Sequence, residues 1–321
     1  MTHHVAFVVF DGVTLLDVSG PSEVLHQAGA LGHPYAVTLV SALGGTVTTA
    51  TGLALSGTAT AAIAGPVDTV VIAGGDRLAA QPIENELLAT ARELSARATR
   101  VAAVCTGAFV LAELGLLDGR RATTHWRHAD TLARRYPRVR MVPDSIHVHD
   151  GRFVTSAGIT AGIDLTLALV EDDHGPGVAR TVARELVFFI RRPGGQAQFA
   201  DAAASAPAPG SLLHPLTLAI IADPTADHSL PAMAAVAAVS TRHLTRLFHS
   251  ELGTTPGRWV ERIRLDAARQ LLLDGHTVTS AAQHSGLGSD ETLRRAFARH
   301  LGTTPTDYRN RFTTTRPPTV Q

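Results

Sequence analysis

Cys105 is the residue of this chain with the clearest capacity for covalent chemistry. It follows the apolar run Val101–Val104 and precedes Thr106-Gly107, after which a helix is predicted from Ala108. A sharp turn from strand to helix exposes the side chain at its apex and places a thiol at the helix N-terminus, where the helix dipole favours the thiolate. The spacing therefore predicts a reactive cysteine, provided that a base and an oxyanion site lie beside it.

Candidates for both partners occur elsewhere in the sequence. His125, in Thr-Thr-His-Trp, has the imidazole of a general base, and the backbone amides of Gly74-Gly75 and Thr106 are candidates for an oxyanion site. Asp17 and Glu23 follow the first predicted strand, at the sheet edge where open parallel sheets bind ligands. The plainer interpretation is a buried, inert cysteine with carboxylates that cap a helix.

Two histidine pairs, His125 with His128 and His147 with His149, have spacings that metal sites use. His147 and His149 would project from one face of a strand. Neither pair comes with a thiolate cluster or an obvious carboxylate ligand. We therefore interpret these histidines as structural or surface residues and expect neither a metal ion nor another cofactor.

Short β-branched runs alternate with helical patterns in the first half of the chain. The predicted strands are 5–10, 35–41, 69–73 and 100–104, the predicted hairpin is 146–156, and the predicted helices are 22–29, 85–98, 159–173 and 178–189. Alternation of strands and helices favours parallel pairing with helices on both faces. The order therefore predicts an α/β three-layer sandwich with a mainly parallel, flavodoxin-like sheet.

An internal repeat dominates the second half. The pattern Leu244–Phe248 followed by Leu252–Pro256 recurs at an offset of 49 residues as Leu293–Phe297 followed by Leu301–Pro305. Each copy has the pattern of a short helix, a tight turn and a second helix, which is the spacing of a helix-turn-helix motif. The repeat therefore predicts an all-α unit with two such motifs.

The second helix of each copy has an apolar side and a polar, arginine-bearing side. A polar face of this kind can reach base edges and phosphates in a DNA major groove, although a solvated helix surface would look the same in a single copy. Two copies with one layout favour the DNA-binding interpretation. The predicted contact residues are Ser240, Thr241, Arg242, His243, Thr245, Arg246 and His249 in the first copy, and Ser289, Asp290, Glu291, Arg294, Arg295 and Arg299 in the second.

A single helix is predicted to connect the two copies. Pro256 suits a helix start, and the apolar spacing from Trp259 to Leu271 continues the helix to Leu273. At 1.5 Å per residue this helix would be about 27 Å long. A rod of that length could hold two DNA-reading helices about one turn of the duplex, roughly 34 Å, apart.

Composition limits the function classes. Of the 321 residues, 45% are hydrophobic, which is enough for a sizeable core, and 28 basic residues balance 28 acidic ones. Every basic residue is arginine, which excludes mechanisms that need a catalytic lysine, such as a Schiff base or a P-loop. The two halves nevertheless differ in charge. Residues 212–321 contain 12 Arg and 9 acidic residues, whereas residues 1–211 contain 16 Arg and 19 acidic residues.

The pattern along the chain also predicts compartment and domain limits. A single cysteine, an N-terminus without the pattern of a secretory signal, and the lack of an apolar stretch of bilayer length predict a cytoplasmic protein with no membrane partner. Residues 201–211 are rich in Ala and Pro and lack apolar periodicity, which is typical of a linker. We therefore predict one domain at 1–200 and a second at 212–321.

The second half resembles the DNA-binding domain of AraC/XylS-type transcription regulators. The resemblance covers residues 230–312 and rests on Arg295, Phe297, Gly302–Pro305 and Tyr308-Arg309. It implies sequence-specific binding to double-stranded promoter DNA and control of transcription. RNA polymerase would be a further partner if the protein is an activator.

The first half, from Val5 to about Phe199, resembles the ThiJ/PfpI class of type-1 glutamine-amidotransferase-like domains, especially the branch fused to AraC-type regulators. The segments that carry this resemblance are 10–12, 20–21, 73–75, 105–108, 115–126 and 192–199. It implies that Cys105 is the elbow cysteine, Asp17 the carboxylate beside it and His125 the nearby histidine. Thr106 stands where the protease-like branch has histidine, which argues against peptidase activity, whereas isonitrile hydratases of this class share the Leu-Asp and Cys-Thr-Gly features.

These features together predict a homodimeric transcription regulator whose first domain binds a small-molecule effector near Cys105, such as an amine, an amide or an amino-acid derivative. Two chains would present four reading helices to two similar half-sites in DNA. The alternative is a cysteine-dependent hydrolase or hydratase, acting on a small amide or isonitrile and fused to a DNA-binding domain. A first domain that only dimerises, with a vestigial pocket, is a third interpretation.

Overall fold

The computed structural model describes residues 2–189, 195–196, 199, 207 and 210–312. The chain divides into two compact units, Met1–Arg192 and Pro193–Gln321. The predicted linker at 201–211 lies mostly outside the described residues, so the predicted domain limits stay predictions. Among the helices of the described ranges, none is long and apolar enough to span a membrane.

The first unit is built on a six-stranded sheet with the order β2-β1-β5-β6-β10-β9. All neighbours in this sheet are parallel except β9, which pairs antiparallel with β10. Two small ladders, β3 with β4 and β7 with β8, lie outside it. The strands are β1 His3–Val8, β2 Tyr35–Val40, β3 Gly45–Thr48, β4 Ala54–Thr58, β5 Thr69–Ile72, β6 Arg100–Val104, β7 Arg121–Ala122, β8 Arg140–Met141, β9 His147–Asp150 and β10 Phe153–Ser156.

Two groups of helices pack around this sheet, α1 with α6 and α7, and α2 and α3 with α4. These helices are α1 Leu16–Ala30, α2 Arg77–Ala80, α3 Asn85–Arg97, α4 Gly107–Glu113, α5 Ala129–Arg135, α6 Ala161–His174 and α7 Pro176–Glu185. Counted among parallel strands alone, the sheet order is the 2-1-3-4-5 order of flavodoxin-like folds. The predicted fold class is therefore confirmed, and the order reverses direction between β1 and β5, where such folds bind ligands.

Some predicted limits differ from the structure for local reasons. α1 begins at Leu16 instead of residue 22 and continues through Pro21, whose ring packs on Gly162 of α6. α6 begins two residues later than predicted because Ile159 has a φ of +52°, and α7 ends at Glu185 before Val187, whose φ is +53°. The β3–β4 hairpin was not predicted, since its strands lack a clear alternation of apolar and polar residues.

The second unit is helical throughout its described residues. Its helices are α8 Leu213–Ala222, α9 Leu230–Val236, α10 Thr241–Leu252, α11 Pro256–Leu273, α12 Val278–His284, α13 Asp290–Leu301 and α14 Pro305–Phe312. The hydroxyls of Ser240 and Ser289 accept hydrogen bonds from the first turns of α10 and α13, and both helices end at a left-handed glycine. The predicted limits of α10, α11 and α13 are confirmed, because each is specified by a local cap.

Two hydrophobic cores lie along α11. The first contains Trp259 and Ile263 of α11 together with side chains of α8, α9 and α10. The second contains Leu265 and Leu272 of α11 together with side chains of α12, α13 and α14. The α8 helix lies outside the range of the predicted resemblance, yet its buried Ile220 belongs to the first core. α11 thus contributes side chains to the cores of both motifs.

Candidate functional site

Cys105 lies at the predicted strand-to-helix turn, between β6 and α4. Its φ of +58° is in the left-handed region, which a residue with a Cβ adopts only under local constraint. Gly107 makes the turn possible, because a Cβ at this position would lie 2.2 Å from the carbonyl oxygen of Ile72 in β5. Cys105 is only 4% exposed, so the turn directs the thiol into the protein.

A buried carboxylate, that of Asp17, lies against the thiol. Its Oδ1 accepts a hydrogen bond from the amide of Ile159 at 2.7 Å, and its Oδ2 accepts one from the amide of Gly74 at 3.1 Å. The thiol of Cys105 donates to the same carboxylate. Burial raises the pKa of Asp17 to about 6, although these hydrogen bonds oppose the rise. The carboxylate thereby joins α1 to the loops that follow β5 and β10.

The thiol is not activated in the way that the sequence pattern predicts. Burial, followed by the negative charge of Asp17, raises the pKa of Cys105 above its usual range, and the backbone amide of Thr106 only partly offsets the rise. Loss of hydration opposes the predicted preference for the thiolate, because burial disfavours the charged form more than the helix dipole favours it. The raised pKa favours the neutral thiol at Cys105.

The amides predicted to form an oxyanion site already have partners. The amide of Gly75 donates to the hydroxyl of Thr106 at 2.8 Å, and this hydroxyl donates to the carbonyl of Gly75 at 2.8 Å. The amide of Gly74 donates to Asp17, and that of Thr106 donates to the sulfur of Cys105. An oxyanion site needs donors that are free to meet a developing charge, so these bonds would have to be exchanged, and the oxyanion site stays a prediction.

His125 and Glu23 make their described contacts away from the thiol. His125 is half-buried, its Nδ1 accepts a hydrogen bond from the amide of Arg127 at 3.3 Å, and burial lowers the pKa of its imidazole. The adjacent Thr124 holds this loop at the elbow, because its hydroxyl donates to the carbonyl of Cys105 at 2.7 Å. Glu23 is exposed and accepts a hydrogen bond from a glutamine one turn further along α1, so the structure does not bring Glu23 to the thiol.

Asp76 and His128 lie at the outer side of the site. The Asp76 side chain is 90% exposed, and its Oδ1 is 3.8 Å from Nε2 of His128. The charge of Asp76 contributes to the raised pKa values of both Asp17 and Cys105. Burial lowers the pKa of His128, so two carboxylates share the site with a neutral imidazole near pH 7. The site therefore carries negative charge.

In the other histidine pair, the two rings lie close together and one of them lies near a carboxylate. The ring centroids of His147 and His149 are 5.6 Å apart, and Nδ1 of His149 lies 3.6 Å from a carboxylate oxygen of Asp172. Burial lowers the pKa of His147. Within the part of the chain that the structure describes, no group of three or more His, Cys, Asp or Glu residues could hold a metal ion.

The loop after β10 completes the site, and the sequence reasoning missed it. A Cβ on Gly158, whose φ is +98°, would lie 2.2 Å from the Cβ of Cys105 and 2.6 Å from its Cα. This loop covers the thiol, so the predicted exposure of Cys105 is wrong. The signal was present in the small-residue run Ala157-Gly158 after a predicted strand. Because β10 is the parallel neighbour of β6, the loops after these strands must meet at one sheet edge.

The second helix of each motif, α10 or α13, presents one side to a core and the other to solvent. We call these two helices the reading helices. Leu244 and Phe248 are buried on α10, and Leu293 and Phe297 are buried on α13. The predicted contact residues are exposed or half-buried on the outer sides: Ser240, Thr241, Arg242, His243, Thr245, Arg246 and His249 at α10, and Ser289, Asp290, Glu291, Arg294, Arg295 and Arg299 at α13.

The arginines of the two reading helices have different neighbours. On α10, an amino group of Arg246 lies 2.8 Å from Nδ1 of His243, which accepts the hydrogen bond. On α13, the carboxylate of Glu291 lies 3.8 Å from Arg294 and 3.7 Å from Arg295. These pairs are exposed to solvent and contribute little to stability. The guanidinium groups can therefore exchange them for phosphate or for the guanine edge.

Arg299 has a partner on the shared helix. Its Nη1 lies 2.7 Å from Glu261 of α11, and Nε2 of His300 lies 3.4 Å from the same carboxylate. A phosphate contact by Arg299 would have to compete with this carboxylate. The DNA contacts of the reading helices stay predictions.

Comparison with protein-family models matches residues 3–172 to the DJ-1/PfpI family and residues 233–311 to a helix-turn-helix domain. Among curated proteins, the HTH-type transcriptional regulator GlxA of Rhizobium meliloti is 30% identical over 320 residues, which cover 96% of this chain and 95% of GlxA. Isonitrile hydratase of Pseudomonas putida is 35% identical over 196 residues, which cover 60% of this chain and 82% of the hydratase.

Among solved structures, an AraC family transcriptional regulator from Pseudomonas putida superposes with a TM-score of 0.52 at 25% identity. The match covers 57% of this chain and 99% of that one. These findings confirm both family resemblances that the sequence predicts. GlxA, whose similarity spans nearly the whole chain, is a regulator, whereas the similarity to the hydratase covers 60% of the chain.

We expect Gly158→Ala to lower the free energy of unfolding by about 2 to 4 kcal/mol, because a new Cβ combines an unfavourable φ with overlap on Cys105. Gly151→Ala is the matched control, since Gly151 also has a positive φ, but the nearest atom to its Cβ is a flexible arginine end at 3.6 Å. Chemical denaturation measures the free energy of unfolding of both variants. Equal losses in the two variants would contradict close packing at Gly158.

The raised pKa of Asp17 predicts a pH-dependent stability. A carboxyl whose pKa is about 6 in the folded protein and 3.8 when unfolded stabilises the fold below pH 4, and this contribution disappears as the pH rises through 6. The unfolding free energy should therefore fall by about 2 kcal/mol more between pH 4 and 7 in the wild type than in Asp17→Asn. Parallel pH profiles from urea titrations of the two proteins would contradict the raised pKa.

Proposed function

The chain belongs to the DJ-1/PfpI family and is a DNA-binding transcription regulator of the helix-turn-helix type, and from this premise we propose that a small molecule bound near Cys105 controls its binding to promoter DNA. One observation carries the proposal. The first unit has polar side chains around Cys105 at the sheet edge where such folds bind ligands, and the second unit has two capped reading helices. The protein would act on the chromosome in the cytoplasm, with RNA polymerase as a further partner if it activates.

We propose a homodimer as the DNA-binding form. Each chain contributes two reading helices joined by α11, so that a dimer would engage two similar half-sites. The exposed arginines of α10 and α13 would supply phosphate and base contacts, and every cationic contact must come from arginine or protonated histidine, since the sequence has no lysine.

The effector class follows from charge. Asp17 and Asp76 are carboxylates at the sheet edge where flavodoxin-like folds bind ligands, and His128 beside Asp76 is neutral near pH 7. We propose an amine-bearing effector, with amides and amino-acid derivatives as the classes to compare. The neutral thiol of Cys105 and the engaged amides around it favour ligand binding over nucleophilic catalysis.

A thermal-shift screen of amines, amides and amino acids on the full chain tests the effector. A compound at a hundredfold excess over its Kd stabilises the folded state by about 2.7 kcal/mol, which raises the Tm by roughly 5 to 10 °C. We expect amines to produce the shift and Asp76→Asn to reduce it. Glu86→Gln, which neutralises an exposed acid on α3, should leave the shift unchanged. A shift from neutral amides alone, equal in Asp76→Asn, would contradict the charge argument.

DNA binding tests the reading helices. Arg246→Ala should weaken binding to the protein's own promoter region by about 1 to 3 kcal/mol and relax the preference at one base position if Arg246 reads a guanine. Arg295→Ala should have the same effect at the part of the promoter that α13 contacts. Arg180→Ala, on α7 of the first unit, removes the same charge and should leave DNA binding unchanged. A wild-type protein that bound promoter and scrambled DNA equally across a salt titration would overturn the proposed contacts.

A further inference from the structure

The two halves of the second unit meet at Arg264, in the middle of α11. The preceding residue, Ile263, is buried in the first core, and the following one, Leu265, is buried in the second. Arg264 itself is half-buried. It therefore stands where α11 passes from one helix-turn-helix motif to the other.

Arg264 binds the loop between α8 and α9. Its Nε donates to the carbonyl of Pro224 at 2.8 Å, and its Nη2 donates to the carbonyl of Ala226 at 3.1 Å. The loop is itself ordered by Asp223, which accepts hydrogen bonds from the amide and hydroxyl of Thr225 at 3.0 and 2.6 Å. A planar guanidinium with two donors to two carbonyls fixes the loop in direction as well as in distance.

The turn between α12 and α13, in the second motif, packs against Arg264 and the α8–α9 loop. Gly286 has a φ of +81°, and a Cβ on it would lie 2.6 Å from the carbonyl oxygen of Pro224 and 2.9 Å from Nε of Arg264. The same Cβ would lie 3.1 Å from the Cα of Thr225. Backbone from the first motif, the Arg264 side chain and backbone from the second motif are thus in direct contact.

We propose that Arg264 is a positioning residue that sets the rotation of one reading helix relative to the other, and with it the spacing of the two DNA elements that one chain accepts. The proposal rests on the DNA contacts proposed above. A continuous helix fixes the distance between the two motifs along its axis, but each motif packs on its own stretch of α11. The contact among Arg264, the α8–α9 loop and Gly286 joins the motifs away from that axis.

Spacing variants of a selected operator test this role. The wild-type full chain first selects binding sequences from a random double-stranded DNA library, and one base pair is then inserted or deleted between the two elements of the selected sequence. Each base pair turns the second element by roughly 35° and moves it by about 3.4 Å. We expect the wild type to lose on the order of 30-fold in affinity, whereas Arg264→Ala should bind the original operator about tenfold more weakly and lose less than about threefold on a change of spacing.

Three further variants make the outcome decisive. Arg262→Ala removes the same charge from an exposed position on α11 and should keep the wild-type spacing profile. Arg264→Lys keeps the charge but cannot bridge two carbonyls with a planar fork, so it should relax the profile even if Arg264→Ala does not fold. Gly286→Ala disturbs the same contact from the second motif and should alter the profile too.

The contrary results separate the two proposals. A wild-type spacing profile in Arg264→Lys or in folded Arg264→Ala, or a wild type that tolerates all spacings equally, overturns the role of Arg264 and leaves DNA binding in place. A wild-type chain that selects no sequence from the library overturns the proposed DNA contacts themselves.

Discussion

The edge of the first unit's sheet at which the parallel strands end depends on one buried interaction, that of the Asp17 carboxylate with two backbone amides and a thiol. Parallel strands end at this edge, and the loops that follow them carry amides that are removed from water and need acceptors. Asp17 supplies acceptors to Gly74, to Ile159 and to Cys105. The burial that makes these bonds necessary also raises the pKa of the carboxyl. The Asp17 carboxylate therefore both holds the loops together and changes its charge near pH 6.

Part of this edge could be predicted from the sequence. Strand periodicity and the order of elements place Asp17 at the edge of a parallel sheet, and the family resemblance implies that its carboxylate lies beside Cys105. The state of the thiol could not be predicted, because it depends on coverage by the Gly158 loop, which is far away in the sequence. The same limit explains the oxyanion prediction: a sequence shows that Gly75 has an amide, but only the fold shows that Thr106 already binds it.

The second unit was more predictable because its signals are local. Serine caps, left-handed glycines and a proline at the start of α11 fix helix ends within a few residues of themselves. The contacts that join the two motifs are not local, since Arg264, Pro224 and Gly286 come from three separate elements. No short pattern encodes their meeting. The role of α8 was missed for the same reason, because its partners in the first core follow much later in the chain.

The position of α8 makes the two motifs unequal in their order along the chain. α8 is the first helix of the second unit and buries Leu213, Leu216 and Ile220 in the core that supports α10. The core that supports α10 therefore begins with the first helix of the unit, whereas the core that supports α13 is built from α11 and the helices after it. Along the chain, the motif that contains α10 thus lies nearer to the first unit than the motif that contains α13.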